Sequence, residues 1–192
     1  MASFSDKPAC VGAKSGSILT YRALDELANQ GAHLLRALGL TRGDVIAVLL
    51  DNDFDVFEIA WAAQRIGLYL TTISTKQSAA AISYIIEDSG AKIVIASSRL
   101  APLTMAALHN KPHVRGFFTD CASGDILNWR TARAPFPTGM IAHPSPGADM
   151  LYSSGTTGRP KGVKPLLPDG SIDAPTPLTQ MGETLYGMNA DS

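Results

Sequence analysis

The chain has 192 residues, 45% apolar and 17% charged, which is enough to bury a sizeable core without disulfide or metal support. Its 16 Lys and Arg are interspersed with 17 Asp and Glu, which excludes a basic field for nucleic acid or an anionic membrane, so any anion must be bound locally. Cys10 and Cys121 form no C-x-x-C, and no stretch resembles a signal peptide or a membrane span, which leaves a soluble, cytoplasmic protein with reduced thiols and no zinc site.

From Thr20 onward, Leu24, Leu27, Ala28, Gly31, Leu34, Leu35 and Leu38 recur at the spacing of one helical face, with Thr20 as N-cap and Gly39 just past the end. The run VIAVLL, Val45 to Leu50, predicts a strand buried on both faces. Asp53 is placed to cap a second helix through Phe54, Phe57, Ile59, Ala60 and Ala63, ending near Gly67, with Trp61 on its core face. A strand at LYLTTIS, a helix from Ser78 to Asp88 closed by Gly90, a strand at KIVIAS, a helix over Leu100 to Leu108 and a strand at VRGFFT follow. This alternation implies βαβ crossovers, hence an α/β fold: a mostly parallel, Rossmann-like layered sheet with helices on both faces.

After Cys121 the character changes, and ARAPFPTGMIAHPSPGAD carries four prolines and two glycines, too many for a helix or a central strand. The expected organisation is an α/β subdomain over 1–121, a proline-rich connection over 122–147, and a segment over 148–192 that opens with a short strand, DMLYSS. Proline breaks KPLLPDGSIDAPTP, and LTQMGETLYGM is able to start a further helix.

The chemistry concentrates where DMLYSS ends. The nine positions from Ser153 to Lys161 supply four hydroxyls, two glycines, a proline and two cations, with no apolar side chain. Ligands of open α/β sheets bind at the carboxyl ends of strands. Gly155 and Gly158 allow backbone N–H groups to approach a ligand closely, and Ser153, Ser154, Thr156 and Thr157 add hydroxyl donors. Lys161 adds a point charge suited to phosphate oxygens, held by a loop that Pro160 stiffens. A solvated turn explains such a block poorly, and a polyphosphate explains it well. The Walker A pattern fails, because Pro160 stands five positions after Gly155 and Gly162 follows Lys161; a G-x-G-x-x-G dinucleotide fingerprint is absent. Neither a P-loop NTPase nor a Rossmann dehydrogenase is supported.

SSGTTGRPKG, Ser153 to Gly162, closely resembles the phosphate-binding motif [ST]-S-G-T-T-G-x-P-K-G of the adenylate-forming superfamily of acyl-CoA synthetases, luciferases and peptide-synthetase adenylation domains, with Arg159 at the variable position. TYRALDELANQGAHLLRALGLTRGDVIAVLLDN and AAISYIIEDSGAKIVIAS resemble upstream segments of the same family. The resemblance implies the N-terminal portion of an ATP-dependent carboxylate–CoA ligase, an acid–thiol ligase that forms an acyl-adenylate and pyrophosphate with magnesium and then an acyl-CoA thioester, with a fatty acid as the expected acid. Its partners would be the small carboxylic acid, ATP and coenzyme A. Carried over position by position, Ser153, Ser154, Gly155, Thr156, Thr157, Gly158 and Lys161 hold the β- and γ-phosphates.

The family's later elements, among them its magnesium and adenine segment, ribose aspartate and catalytic lysine, have no counterpart before Ser192. The expectation is therefore of no catalytic or metal residue within these residues and no turnover by them alone. The alternative is a truncated nucleotide- or partner-binding module without catalysis. KPLLPDGSIDAPTPLTQ also departs from the family pattern, in which a histidine follows the motif; here none follows His143.

The remaining polar residues read as structural. His33 is expected to be half-buried with a backbone partner, and His109 and His113 near a helix end lack the spacing of a metal site. Asp51 and Asp53 follow a strand and are assigned to helix capping. Trp129, after a short polar stretch, is expected to be exposed.

Overall fold

The computed structural model describes residues 6–153, 159–175 and 177–187. An antiparallel pair, β1 (Pro8–Val11) and β2 (Ile18–Thr20), leads into α1 (Tyr21–Ala37). Thr20 caps this helix, its hydroxyl accepting from the amide of Ala23 at 3.2 Å, and Gly39 turns the chain away with φ of 86°. Next come β3 (Val45–Leu49), α2 (Asp55–Arg65), β4 (Tyr69–Thr72), α3 (Ala79–Ser89), β5 (Ala91–Ala96), α4 (Ala101–Leu108) and β6 (Arg115–Phe118). The alternation expected from the sequence is present, and α3 carries the expected Ser78 cap and a left-handed Gly90.

Residues 122–147 hold two further elements ahead of their prolines, β7 (Leu127–Asn128) and α5 (Trp129–Arg133). The predicted strand DMLYSS divides at the buried Met150. Its first half, β8 (Ala148–Asp149), lies parallel to β4, whereas its second, β9 (Leu151–Ser153), leaves the sheet to pair antiparallel with β10 (Lys161–Val163). A last helix, α6 (Pro177–Tyr186), follows an irregular stretch.

The central sheet has six strands in the order β7-β6-β5-β3-β4-β8, every neighbouring pair parallel. All five residues of β3 are buried because the strand meets helices on both sides. Ile46 and Val48 face a core built with α1, α2 and α5, while Val45, Ala47 and Leu49 face a second core built with α3 and α4. Burying each large aliphatic side chain in these layers contributes about 1.5–3 kcal/mol. The connection from β3 runs to β4 on one side and that from β5 to β6 on the other, so the chain reverses its winding direction between β3 and β5.

Two aromatic assignments are corrected by this packing. Trp61, expected in the core, is 52% exposed, and Trp129, expected at the surface, is fully buried. The cause is α5, which lies against α1 and brings Trp129 edge-on to Phe117 with ring centroids 5.7 Å apart. Asp53 does not hold the N-cap position either: Phe54 does, without a side-chain cap, and the Asp53 carboxylate accepts from the Asp55 amide at 3.4 Å. Asp51 instead accepts from Arg99 at 2.7 Å.

Candidate phosphate-binding site

Because every strand of the main sheet is parallel, β8 ends on the same edge as β3, β5 and β6, which is where the topology concentrates ligand-binding loops. The chain leaves this edge through Met150, whose amide still donates to Leu70 at 2.9 Å, and enters the β9–β10 hairpin. Its register pairs Ser153 with Lys161, Gly162 with Tyr152 and Val163 with Leu151. The first and last polar residues singled out in the sequence are therefore cross-strand partners, and the segment between them is closed at its base. Ser154, Gly155, Thr156, Thr157 and Gly158 lie outside the described residues. Ser153 and Lys161 are exposed.

Three sets of contacts seat this hairpin on the fold. From α3, Asp88 accepts a hydrogen bond from the Tyr152 hydroxyl at 2.6 Å through one carboxylate oxygen, and from the Tyr84 hydroxyl at 3.2 Å through the other. The Arg159 guanidinium stands 5.9 Å from the centroid of the Tyr84 ring. From β4, the Tyr69 hydroxyl donates to the carbonyl of Pro165 at 2.6 Å, and the Lys164 ammonium lies 4.5 Å from the centre of its ring. Farther along, Arg42 donates to the Ser145 hydroxyl at 2.6 Å and to the carbonyls of Pro146 and Pro168, both at 2.9 Å.

Gly162, the last residue of the motif, is required here by close approach. A Cβ at this position would come within 2.9 Å of the Tyr152 ring and 2.8 Å of the Met150 methyl. The bare glycine lets the Tyr152 ring lie across β10 and reach Asp88. Burial, together with the bond to Asp88, pushes the Tyr152 phenol well above its usual range, so it remains a hydrogen-bond donor at neutral pH. Arg159, Lys161 and Lys164 place three cations within six residues of a chain whose net charge is −1, which suits the hairpin to a polyanion.

A second polar feature lies at the winding reversal itself, where Leu50, Asp51, Asp53, Ser97, Thr119 and Asp120 border a crevice of about 160 Å³. Two of its three carboxylates are closely engaged: Arg99 pairs with Asp51 at 2.7 Å, and Ser98 donates to Asp120 at 2.6 Å, holding that carboxyl below the usual carboxylate range. His33, as expected, contacts backbone, with its Nε2 at 3.1 Å from the carbonyl of Gly139. Among the described residues no three His, Cys, Asp or Glu side chains are grouped to hold a metal ion, and no helix is long and apolar enough to cross a membrane.

Residues 1–164 match the family of AMP-binding enzymes. The chain belongs to that family. This AMP-binding chain is 35% identical over 147 residues to the long-chain-fatty-acid–CoA ligase FadD13 of Mycobacterium tuberculosis, an alignment covering 76% of it and 29% of that protein. It is 32% identical over 160 residues to the 4-hydroxybenzoate–CoA/benzoate–CoA ligase of Rhodopseudomonas palustris, covering 76% of this chain and 28% of the ligase. Among solved structures it superposes on the anthranilate CoA ligase AuaEII in complex with anthranoyl-AMP with a TM-score of 0.72 at 25% identity, covering 78% of this chain and 30% of that one. The chain thus spans less than a third of the length of these relatives, and the layered parallel sheet is that of the N-terminal part of adenylate-forming enzymes.

The seating of the hairpin has no signature in the local sequence. The Asp88–Tyr152 bond joins residues 64 apart, and no local pattern announces it.

Proposed function

We propose that this chain provides the phosphate-binding part of an ATP-dependent carboxylate–CoA ligase, with Ser153, Ser154, Gly155, Thr156, Thr157, Gly158 and Lys161 holding the β- and γ-phosphates of ATP. The observation that carries this reading is the hairpin register, which sets Ser153 opposite Lys161 at the carboxyl edge of a parallel sheet in a chain of the AMP-binding family. Membership of that family, and relatives that are acyl-CoA ligases, support the reaction class.

In such a reaction a substrate carboxylate attacks the α-phosphorus of ATP, the bond from that phosphorus to the bridging oxygen breaks, and pyrophosphate leaves with the developing negative charge. Backbone N–H groups, hydroxyls and the Lys161 ammonium aimed at that charge lower the barrier, each donor being worth about 3 kcal/mol. The acyl-adenylate then passes its acyl group to the thiol of coenzyme A and releases AMP. Among the described residues no three His, Cys, Asp or Glu side chains are grouped, and magnesium would be held chiefly by the phosphates of ATP, whose charge it would help neutralise.

The substrate we propose is a fatty acid, supported by the 35% identity to a long-chain-fatty-acid ligase. The test is isotope exchange of labelled pyrophosphate into ATP, in the polypeptide that carries the remainder of the adenylate-forming fold, across aliphatic and aromatic acids. Exchange that depends on an aliphatic acid is the expected result. Exchange with aromatic acids alone would remove the fatty-acid assignment, and none with any acid would remove the ligase.

A further inference from the structure

We infer that Asp88 is a positioning residue for the phosphate hairpin, holding both of its arms against α3 so that the loop is presented in one register; this rests on the phosphate-binding reading of the same hairpin. Asp88 uses both carboxylate oxygens. One accepts from Tyr152 on β9 and the other from Tyr84, whose ring faces the Arg159 guanidinium at the entry to β10. Each arm of the hairpin is thereby connected to a single carboxylate.

The helix behind that carboxylate is packed into the core and capped at both ends. Ile82, Ile85 and Ile86 of α3 are buried in the core, and the Ser78 cap and Gly90 terminus fix the helix ends. The neighbouring Glu87 is occupied with Lys111 at 2.6 Å and does not compete for the tyrosines. Apart from this carboxylate, the contacts that seat the hairpin fall just past β10, at Lys164, Pro165 and Pro168. β9 and β10 are three residues each, and Leu151 and Val163, cross-strand partners, are 61% and 60% exposed. A two-stranded ribbon of that length is marginal in water and takes its order from what it is fastened to. A phenol–carboxylate bond is of the stronger, charge-assisted kind, and its loss shifts a local opening equilibrium by about tenfold or more.

The chain offers a direct way to read that opening. Arg159 and Lys164 each precede proline, where trypsin does not cut, so Lys161–Gly162 is the scissile bond of the hairpin. Limited trypsinolysis of the 192-residue chain, followed by mass spectrometry, reports its rate beside that of control bonds such as Arg36–Ala37 in α1. Asp88→Ala is expected to speed cleavage after Lys161 by about tenfold while the control bonds stay at their wild-type rates. Asp88→Asn, which keeps one acceptor oxygen for Tyr152 but neither the charge nor the second acceptor, should restore part of the protection. Combining Asp88→Ala with Tyr152→Phe should add nothing beyond the larger single effect.

Millimolar ATP supplies the functional readout. It should protect the Lys161 bond in the wild type, with the half-protecting concentration raised several-fold in Asp88→Ala. Wild-type cleavage and ATP protection in Asp88→Ala would overturn the inference. If instead all bonds of Asp88→Ala became labile, Tyr152→Phe alone decides: faster cleavage confined to Lys161 supports the inference, and an unchanged rate overturns it. If ATP protected neither protein while Asp88→Ala still opened the hairpin, the anchoring would stand and the phosphate reading would fall.

Discussion

The indole N–H of Trp129 donates to Glu58 Oε1 at 2.9 Å, joining α5 to α2 across 71 residues of sequence. The same carboxylate receives Arg133 through both oxygens, each bond at 2.9 Å, and the two charged side chains are 3% and 8% exposed. Nearby, Arg130 pairs with the buried Asp55 at 2.6 Å, so α5 is fastened to α2 by two guanidinium–carboxylate contacts and one indole.

Removing one member of this cluster strands the others. Glu58→Ala leaves a buried guanidinium without a counter-ion and an indole without an acceptor, and is expected to cost about 3–5 kcal/mol in urea unfolding. Removing Arg133 as well should lower the cost below the sum of the single changes. A loss under about 1 kcal/mol for Glu58→Ala would show that the cluster does not hold α5.

That cluster also marks the limit of what local pattern reveals. The elements themselves were legible, because their signals are local: Thr20 and Ser78 cap helices, Gly90 ends one, and VIAVLL is an unbroken apolar run that only a strand covered on both faces requires. On α2 the local signal points the wrong way. Phe57 and Trp61 stand four residues apart on one face and read as core, yet they are 44% and 52% exposed. Asp55 and Glu58 of the same helix are buried instead, because their charges are met by Arg130 and Arg133, more than seventy residues later. At the candidate site the polar motif was legible because nine consecutive residues resist any packing explanation. The division of the preceding strand at Met150, and the role of Gly162 in admitting the Tyr152 ring, depend on contacts made in three dimensions.

Gly147 precedes β8 in a space with no room for a side chain. A Cβ there would lie 2.4 Å from the Leu68 carbonyl oxygen, 3.1 Å from Gln64 Cα and 3.2 Å from the Ala63 carbonyl oxygen, all backbone atoms that cannot swing aside. Gly147→Ala is expected to cost about 2–3 kcal/mol and to loosen the strand that delivers the hairpin. Gly139→Ala, where no atom lies within 4 Å, is the control and should change stability by less than about 0.5 kcal/mol. Equal unfolding midpoints for the two variants would contradict this packing.

Asp44 ties the turn after α1 to β5. Partial burial pushes its carboxyl up, but the Lys92 ammonium at 2.7 Å and the amide and hydroxyl of Thr41 outweigh this and leave it below the usual range. A carboxylate whose folded value is depressed stabilises the fold above its unfolded value of about 3.9 and loses that contribution as the pH falls through the folded value. Thermal unfolding from pH 7 to pH 3 should therefore show a steeper acid decline for the wild type than for Asp44→Asn. At pH 7 the variant should be less stable by about 1 kcal/mol or less, since Lys92 is half in solvent. Parallel acid limbs would assign the depressed titration elsewhere.

Lys161 is the residue on which the functional account turns, being the point charge at the foot of the hairpin, opposite Ser153. The most direct measurement is acid-dependent pyrophosphate–ATP exchange by the polypeptide carrying the remainder of the fold, with Lys161→Ala compared with Arg159→Ala. The exchange rate is expected to fall by about 10²–10³ for Lys161→Ala, the range for losing one charge-stabilising donor, and far less for Arg159→Ala, which faces Tyr84. Exchange by Lys161→Ala at the wild-type rate would contradict the assignment of this loop to the phosphates of ATP.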